Sequence, residues 1–313
     1  MRDITVLMTT YNEEKEILSK AIESILNQTY KDFDFLIIVD CPSNLDNINL
    51  LYNYAKIDDR IRIVINEINL GLPMALNKGI ELINSKYIAR MDADDISLKN
   101  RLEEQLNFLK ENKSISLIGS NVSYINNQDD IVVEPNKILE NHSDIVEAMK
   151  HVNVFKHPTL FGKTEVFKNI KYRNLRYAQD YDFMCRVIEG EYYVANINKK
   201  LLLYRLASKE NMQKNFLQEL TANIIRKNYS SRKLNNIDIN KQISKYKFEN
   251  DFDILVAKKD IDIMLSFLNK KNIKRFFIHL ALNVFKSKYH RLKIMNLIGY
   301  LFVKTKCYLK YGG

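Results

Sequence analysis

Ile4-Thr5-Val6-Leu7-Met8-Thr9-Thr10-Tyr11-Asn12-Glu13-Glu14 places a strand and the opening of a helix side by side near the start of the chain. Ile4–Thr9 is a short apolar run containing β-branched residues and bounded by Thr10-Tyr11-Asn12, the pattern of a buried strand. Asn12 is then expected to cap a helix, with Glu13 and Glu14 in the first turn where the helix dipole favours anions. Behind them Ile17, Leu18, Ala21, Ile22, Ile25 and Leu26 recur at helical spacing and form one apolar stripe.

The same alternation continues downstream. Phe35–Val39 reads as a strand, Asp46–Lys56 as a helix and Ile61–Ile65 as a strand. Leu72–Asn84 reads as a helix with Pro73 in its first turn, where a missing N–H costs nothing. Tyr87–Met91 is a fourth strand, Ser97 is expected to cap a helix carrying Leu98, Leu102, Leu106 and Leu109, and Ser116–Ser120 is a fifth strand. Strand–helix–strand at this spacing predicts parallel βαβ units in an open α/β sheet. Such sheets bind ligands at the carboxyl ends of their strands. Those ends carry Thr9 to Glu13, Asp40-Cys41 and Asp92-Ala93-Asp94-Asp95. No Gly-x-Gly-x-x-Gly follows the first strand and no Gly-x-x-x-x-Gly-Lys-Ser/Thr occurs, so dinucleotide and P-loop phosphate binding are not supported.

Composition bounds the rest. The 313 residues are 46% apolar, with 18 Tyr, 15 Phe and no Trp, which suits a globular protein with a substantial core. Cys41, Cys185 and Cys307 are odd in number and far apart, so neither a disulfide framework nor a cysteine zinc site is indicated. Met1 leads directly into the first strand without the regions of a signal peptide, and no apolar run approaches the ~18–20 residues of a spanning helix, so a cytoplasmic setting is expected. The net charge of +10 comes from 48 Lys+Arg against 38 Asp+Glu. Residues 263–313 hold eleven of the basic residues and no acidic ones, leaving 37 against 38 in residues 1–262. From about residue 210 the chain turns helical and rich in Lys and Asn. One apolar stripe runs through Ile273, Phe276, Phe277, Leu280, Ala281 and Val284, another through Ile294, Met295, Ile298, Leu301 and Phe302. The expected organisation is an α/β domain over 1–210 and a basic α-helical region over 211–313.

Asp92, Asp94 and Asp95 put three carboxylates within four residues at a strand end, where they repel one another unless a cation compensates them. All-oxygen ligands suit Mg²⁺ or Mn²⁺. An acidic turn before a helix is the plainer alternative, and spacing alone leaves both open.

Taken together, Thr9-Thr10-Tyr11-Asn12-Glu13-Glu14, Ser24-Ile25-Leu26-Asn27-Gln28-Thr29-Tyr30, Asn69-Leu70-Gly71 with Leu76-Asn77-Lys78-Gly79-Ile80, and Met91-Asp92-Ala93-Asp94-Asp95 resemble the family 2 glycosyltransferases. The likeness runs in order over 3–110 and resumes near 157–190. It implies the GT-A fold, a Rossmann-like nucleotide-sugar-binding domain with a mainly parallel sheet. It also implies that Thr9, Tyr11 and Glu13 contact the nucleoside of a sugar diphosphate and that Asp40 accepts a hydrogen bond from its base, commonly uracil. Asp92 and Asp94 match the family's Asp-x-Asp element, with Asp94 on the metal and Asp92 near ribose or metal. Tyr177-Ala178-Gln179-Asp180-Tyr181-Asp182-Phe183 is similar to the second acidic motif and makes Asp180 the general base, with Asp182 as the fallback. A carboxylate in reach of an acceptor hydroxyl can take its proton during attack. Asp180 as a helix cap is the alternative, and the two roles are compatible.

Several positions depart from the family pattern. Gln179 replaces a usual Glu, Cys41 replaces a second Asp, and no Lys or Arg lies between Gly71 and Asn77. Ala207 stands where relatives often carry a His that approaches the metal or diphosphate, which leaves either a metal without a protein nitrogen ligand or Arg205 supplying the missing positive charge. His157 matches the family too and reads as structural or acceptor-side.

The resemblance therefore implies an inverting enzyme that moves one sugar from a nucleotide-diphosphate sugar, UDP-linked, to a glycan or lipid-linked acceptor in capsule, O-antigen or other surface-polysaccharide synthesis. A processive synthase is disfavoured, because those relatives carry spans and a Gln-x-x-Arg-Trp element. The competing class is a non-catalytic scaffold acting through the basic tail on nucleic acid or an anionic membrane. The tail's aromatics fall mostly on its apolar stripes rather than forming a stacking platform, which turns the expectation away from nucleic acid and toward peripheral contact with the inner face of the membrane, with a helical bundle packed on the catalytic domain and a solvated basic face as the plainer alternative.

Overall fold

The computed structural model describes residues 2–135, 137–206 and 212–244, with isolated positions between 260 and 305. The basic C-terminal segment and its two apolar stripes fall almost entirely outside the described residues, as does Ala207.

One mixed sheet organises the first unit. Its strands are β1 (Ile4–Thr10), β2 (Phe33–Val39), β3 (Ile61–Ile65), β4 (Tyr87–Asp92), β5 (Ile96–Ser97), β6 (Ile115–Ile125), β7 (Ile131–Val133), β8 (Phe161–Lys163) and β9 (Tyr193–Arg205). Their spatial order is β3-β2-β1-β4-β8-β6-β9-β5, with β7 paired to β6 off this path. The first four in that order are mutually parallel. β8 runs antiparallel between β4 and β6, and β9 returns parallel to β6. All seven residues of β1 are buried, as a strand covered on both faces requires.

Helices α1 (Lys15–Leu26), α2 (Leu45–Ile57), α3 (Leu72–Glu81) and α4 (Arg101–Glu111) follow the strands in alternation, as the sequence pattern predicts. The remaining helices are α5 (His142–Met149), α6 (Thr164–Ile170), α7 (Gln179–Glu189), α8 (Met212–Ser230) and α9 (Ile239–Ser244). Leu18, Ala21, Ile22 and Ile25 of α1 are buried and join β1 and β2 in the main core. Gly79 lets α3 approach this sheet closely, since a Cβ there would collide with Leu7.

Two helix starts differ from the sequence expectation. α1 begins at Lys15, not behind Asn12, because the Glu13 carboxylate folds back to accept from the Thr10 hydroxyl at 2.5 Å and the Tyr11 N–H at 2.9 Å. Asn12 instead accepts from Asn44 across the strand ends. Ser97 does not cap α4: it belongs to β5, pairs with Leu202, and leaves Asn100 at the helix start.

The described part of the second unit comprises Glu147–Asn153 with α8 and α9. Phe216, Leu220, Ile224 and Ile225 form the buried stripe of α8, and Arg226 donates to the His151 carbonyl at 2.6 Å. No helix among the described residues is long and apolar enough to cross a membrane.

Candidate active site

The order β3-β2-β1-β4 puts a topological switch at β1, and the polar strand ends meet there. Thr9 and Asp92 are direct register partners at the ends of β1 and β4. The Asp40 N–H donates to the Thr10 carbonyl at 2.8 Å, which brings the end of β2 to the same place. Tyr11 projects from this junction and is 53% exposed, while Thr9 is buried.

Asp40 is buried and accepts three hydrogen bonds. Asn66 Nδ2 and the Leu70 N–H reach Oδ1 at 2.6 and 2.9 Å, and the Gly71 N–H reaches Oδ2 at 2.8 Å. Lys78 in turn donates to Asn66 at 2.8 Å. The carboxylate thus shapes the turn at Gly71, whose φ of +79° suits glycine. A carboxylate offers about four acceptor positions, so one remains on Oδ2 for a ligand N–H.

Oxygens of Asp92, Asp94 and Asp95 lie within 4.8 Å of one another just past β4. Asp95 is buried: its Oδ1 accepts the Arg205 N–H at 2.8 Å, and its Oδ2 has no hydrogen-bond partner among the described residues. Crowding on the inner side of the loop, then the Asp92 and Glu13 carboxylates, push the Asp94 carboxyl up to about 6, although its outer face reaches solvent. Burial, then the Asp92 and Asp94 carboxylates, hold Asp95 well above the usual carboxylate range. Three converging hard oxygens, one orphaned in the interior, form a donor set that fits a divalent cation such as Mg²⁺ or Mn²⁺.

Cations that the sequence reasoning missed stand behind this cluster. Arg90, 1% exposed, pairs through Nη2 with Asp92 Oδ1, while its Nε and Nη1 have no hydrogen-bond partner among the described residues. Arg101 is buried too, donating to the Arg90 carbonyl at 2.6 Å and to Gln105 at 3.0 Å. Burial and the Arg90 charge lower Arg101 to about 9, so it remains cationic at neutral pH. A charged residue inside the otherwise apolar run Tyr87–Met91 was the available signal for Arg90.

Asp180 lies in the first turn of α7, one residue past the helix start, with Ala178 in the left-handed region before it. It is therefore not the capping residue itself. Burial raises its carboxyl, opposed by the Tyr181 N–H and then by the Arg90 charge. Tyr172 and Tyr204 feel both Asp180 and Asp92, so these two carboxylates share one neighbourhood.

Three other candidates are placed elsewhere in role. Asp182 is fully buried between Arg173 and Arg186, bonded to Arg186 Nε at 2.8 Å and to Arg173 Nε at 3.0 Å, so it is a structural ion and not a fallback base. Arg205 turns its guanidinium to the Asp94 carbonyl, the Asn126 carbonyl and Asp129, and so does not stand in for the missing histidine. His157 meets the Tyr172 hydroxyl at 2.8 Å, and burial followed by the Arg90 charge holds its ring well below the ordinary range. Tyr172 stacks on Phe183 and is clipped by Asn77 through two 2.8 Å bonds to its main chain, which makes this a packing unit.

A sheet of this order, with an acidic cluster at the switch point, is the arrangement that the resemblance to GT-A enzymes implies. The model for glycosyl transferase family 2 matches residues 5–170. An uncharacterised glycosyltransferase of Methanocaldococcus jannaschii is 37% identical over 209 residues, covering 66% of this chain and 72% of that one. The O-antigen biosynthesis glycosyltransferase WbnJ of Escherichia coli is 32% identical over 209 residues, covering 66% and 80%. Among solved structures, S. aureus TarS 1-349 in complex with UDP-GlcNAc superposes with a TM-score of 0.60 at 14% identity, covering 98% of this chain and 92% of that one. The chain belongs to glycosyl transferase family 2 and is a glycosyltransferase.

Proposed function

We propose that this enzyme moves one sugar, with inversion, from a UDP-sugar to a hydroxyl of a glycan or lipid-linked acceptor in surface-polysaccharide synthesis. The observation that carries the reading is the shared site: three converging carboxylates at the end of β4 and a half-buried Asp180 whose carboxyl is raised, both in the field of Arg90. Support for the donor comes from the UDP-GlcNAc complex of TarS, and for the setting from the O-antigen role in the name of WbnJ.

Thr9, Tyr11, Glu13 and Asp40 line the nucleoside end, with the remaining Asp40 Oδ2 acceptor for the base N–H. Asp92 and Asp94 would hold Mn²⁺ or Mg²⁺, with Asp95 beside them. Such an ion, when bound, supplies Lewis-acid neutralisation of the departing diphosphate. Asp180 takes the acceptor hydroxyl proton as that oxygen bonds to the anomeric carbon. The bond from that carbon to the diphosphate oxygen breaks, and its electron pair leaves with UDP. A base whose carboxyl is raised by burial is the stronger proton acceptor.

Residues 1–210 form the transferase region in this reading. Residues 211–313, of which those beyond 244 fall almost entirely outside the described residues, are in this reading a basic helical region that contacts an anionic membrane surface from the cytoplasmic side, with no nucleic-acid partner. The charge asymmetry of the sequence supports that placement, and no observation favours a non-catalytic scaffold. A panel of nucleotide sugars incubated with and without Mn²⁺ tests donor and metal together. Wild-type transfer by both Asp94→Ala and Asp180→Ala variants, each folded, would sink the assignment.

A further inference from the structure

Arg205, the last residue of β9, makes four hydrogen bonds that join two separate parts of the chain. Toward the acidic loop, its N–H donates to Asp95 Oδ1 and its Nε to the Asp94 carbonyl, both at 2.8 Å. Away from the loop, Nη1 donates to the Asn126 carbonyl at 2.7 Å and Nη2 to Asp129 Oδ1 at 2.5 Å. Asp129 sits in the turn between β6 and β7 with φ of +69° and also pairs with Lys20 of α1. Asn126 tightens that turn by accepting from the N–H groups of Gln128 and Asp130, both at 2.9 Å.

We propose that Asp129 is a positioning residue for the acidic loop: through Arg205 it fixes the Asp94–Asp95 peptide and thereby sets the affinity of Asp92 and Asp94 for a divalent cation. The proposal rests on the reading of that loop as a cation site. The Arg205 side chain is only 4% exposed, and Asp129 supplies its compensating carboxylate. A desolvated guanidinium stripped of its counter-charge favours any rotation that regains water. That rotation would withdraw Nε from the Asp94 carbonyl and release the peptide carrying the ligand. Metal affinity is sensitive to the groups that orient the ligands, with outer partners typically worth about 10- to 100-fold. Asp129 itself is outside the cluster, so its effect travels through Arg205.

The test is titration of Mn²⁺ into the full-length protein with UDP present, followed by calorimetry. The variants are Asp129→Ala, Asp129→Asn and Glu134→Gln. Glu134 is the control on the same hairpin: it pairs with Lys200 and Ser123, neither of which belongs to the acidic loop. Asp129→Ala should weaken Mn²⁺ binding about tenfold. Asp129→Asn, which keeps an acceptor and loses the charge, should fall between it and the wild type, and Glu134→Gln should bind as the wild type does. Wild-type affinity in a folded Asp129→Ala protein overturns the proposal, as does an equal loss in Glu134→Gln. Absence of Mn²⁺ binding by the wild type overturns the cation-site reading itself and the proposal with it.

Discussion

Arg90 turns its guanidinium onto the carboxylate of Asp92, two residues further along β4. Alternate residues of a strand share a face, so the pairing follows from the strand itself. Two of the Arg90 nitrogens stay without hydrogen bonds among the described residues, a costly state for a buried donor. Arg90→Lys keeps the positive charge and loses the planar fork. It should weaken Mn²⁺ binding by about tenfold while leaving the acid limb of the pH–rate profile in place. Calorimetric titration and a pH series separate the two effects.

Asp180 must be ionised to accept a proton, and burial raises its carboxyl. Activity should therefore fall as pH drops, with the acid limb of kcat/KM above the ordinary carboxylate range. Asp180→Asn should cost about 10²- to 10⁴-fold in kcat and leave UDP binding intact. An unchanged kcat would remove the residue from the chemistry.

The Asp94 carboxyl, raised to about 6, couples the proposed cation site to stability. A carboxyl raised on folding favours the native state below its unfolded value, and that contribution is lost as pH rises through about 6. The metal-free protein should thus lose stability over that interval, and Mn²⁺ should restore it. Melting scans should show a larger Mn²⁺ shift at pH 7.5 than at pH 5. Asp94→Asn should raise the metal-free Tm at pH 7.5 and abolish the Mn²⁺ response.

Asp182 tests structure against catalysis. Asp182→Asn strands Arg173 and Arg186 without their shared carboxylate and should cost about 3–5 kcal/mol in urea unfolding. A fully stable variant would contradict the role assigned to this buried ion.

Tyr11 is exposed, so its removal costs the fold little. Tyr11→Ala should raise the donor KM, by an amount of order the ~1–3 kcal/mol of a base–aromatic stack, with Tm unchanged. An unaltered KM would detach Tyr11 from the nucleoside.

The strands of the first half were readable because each is an apolar run that needs no distant partner to be recognised. Ile4–Thr10 and Ile61–Ile65 emerge nearly residue for residue. Ser97 looks like a helix cap in the sequence because its pairing partner, Leu202, lies about a hundred residues away and local capping chemistry is silent about it. Glu13 differs for a local reason: its carboxylate is drawn back to Thr10 and Tyr11 and so stands before the helix instead of in its first turn. Asp92, Asp94 and Asp180 stood out through motif spacing. Arg101 and the pairing of Asp182 with Arg173 and Arg186 are not legible in this way, because only the tertiary fold distinguishes them from surface charges, whereas Arg90 shows itself only as a charge inside an apolar run.

The three residues of β8 separate β4 from β6 in space, although they follow both in the chain. On a chain emerging from the ribosome, β4 therefore keeps one bare edge until Phe161–Lys163 has been made, about seventy residues later. The strand that ends in Asp92 thus waits longer for its second neighbour than β1 or β2 does, and its open edge is a site for mispairing while synthesis continues. Nascent chains arrested before residue 161 should be the sticky ones, and release past residue 163 the step that makes the sheet safe.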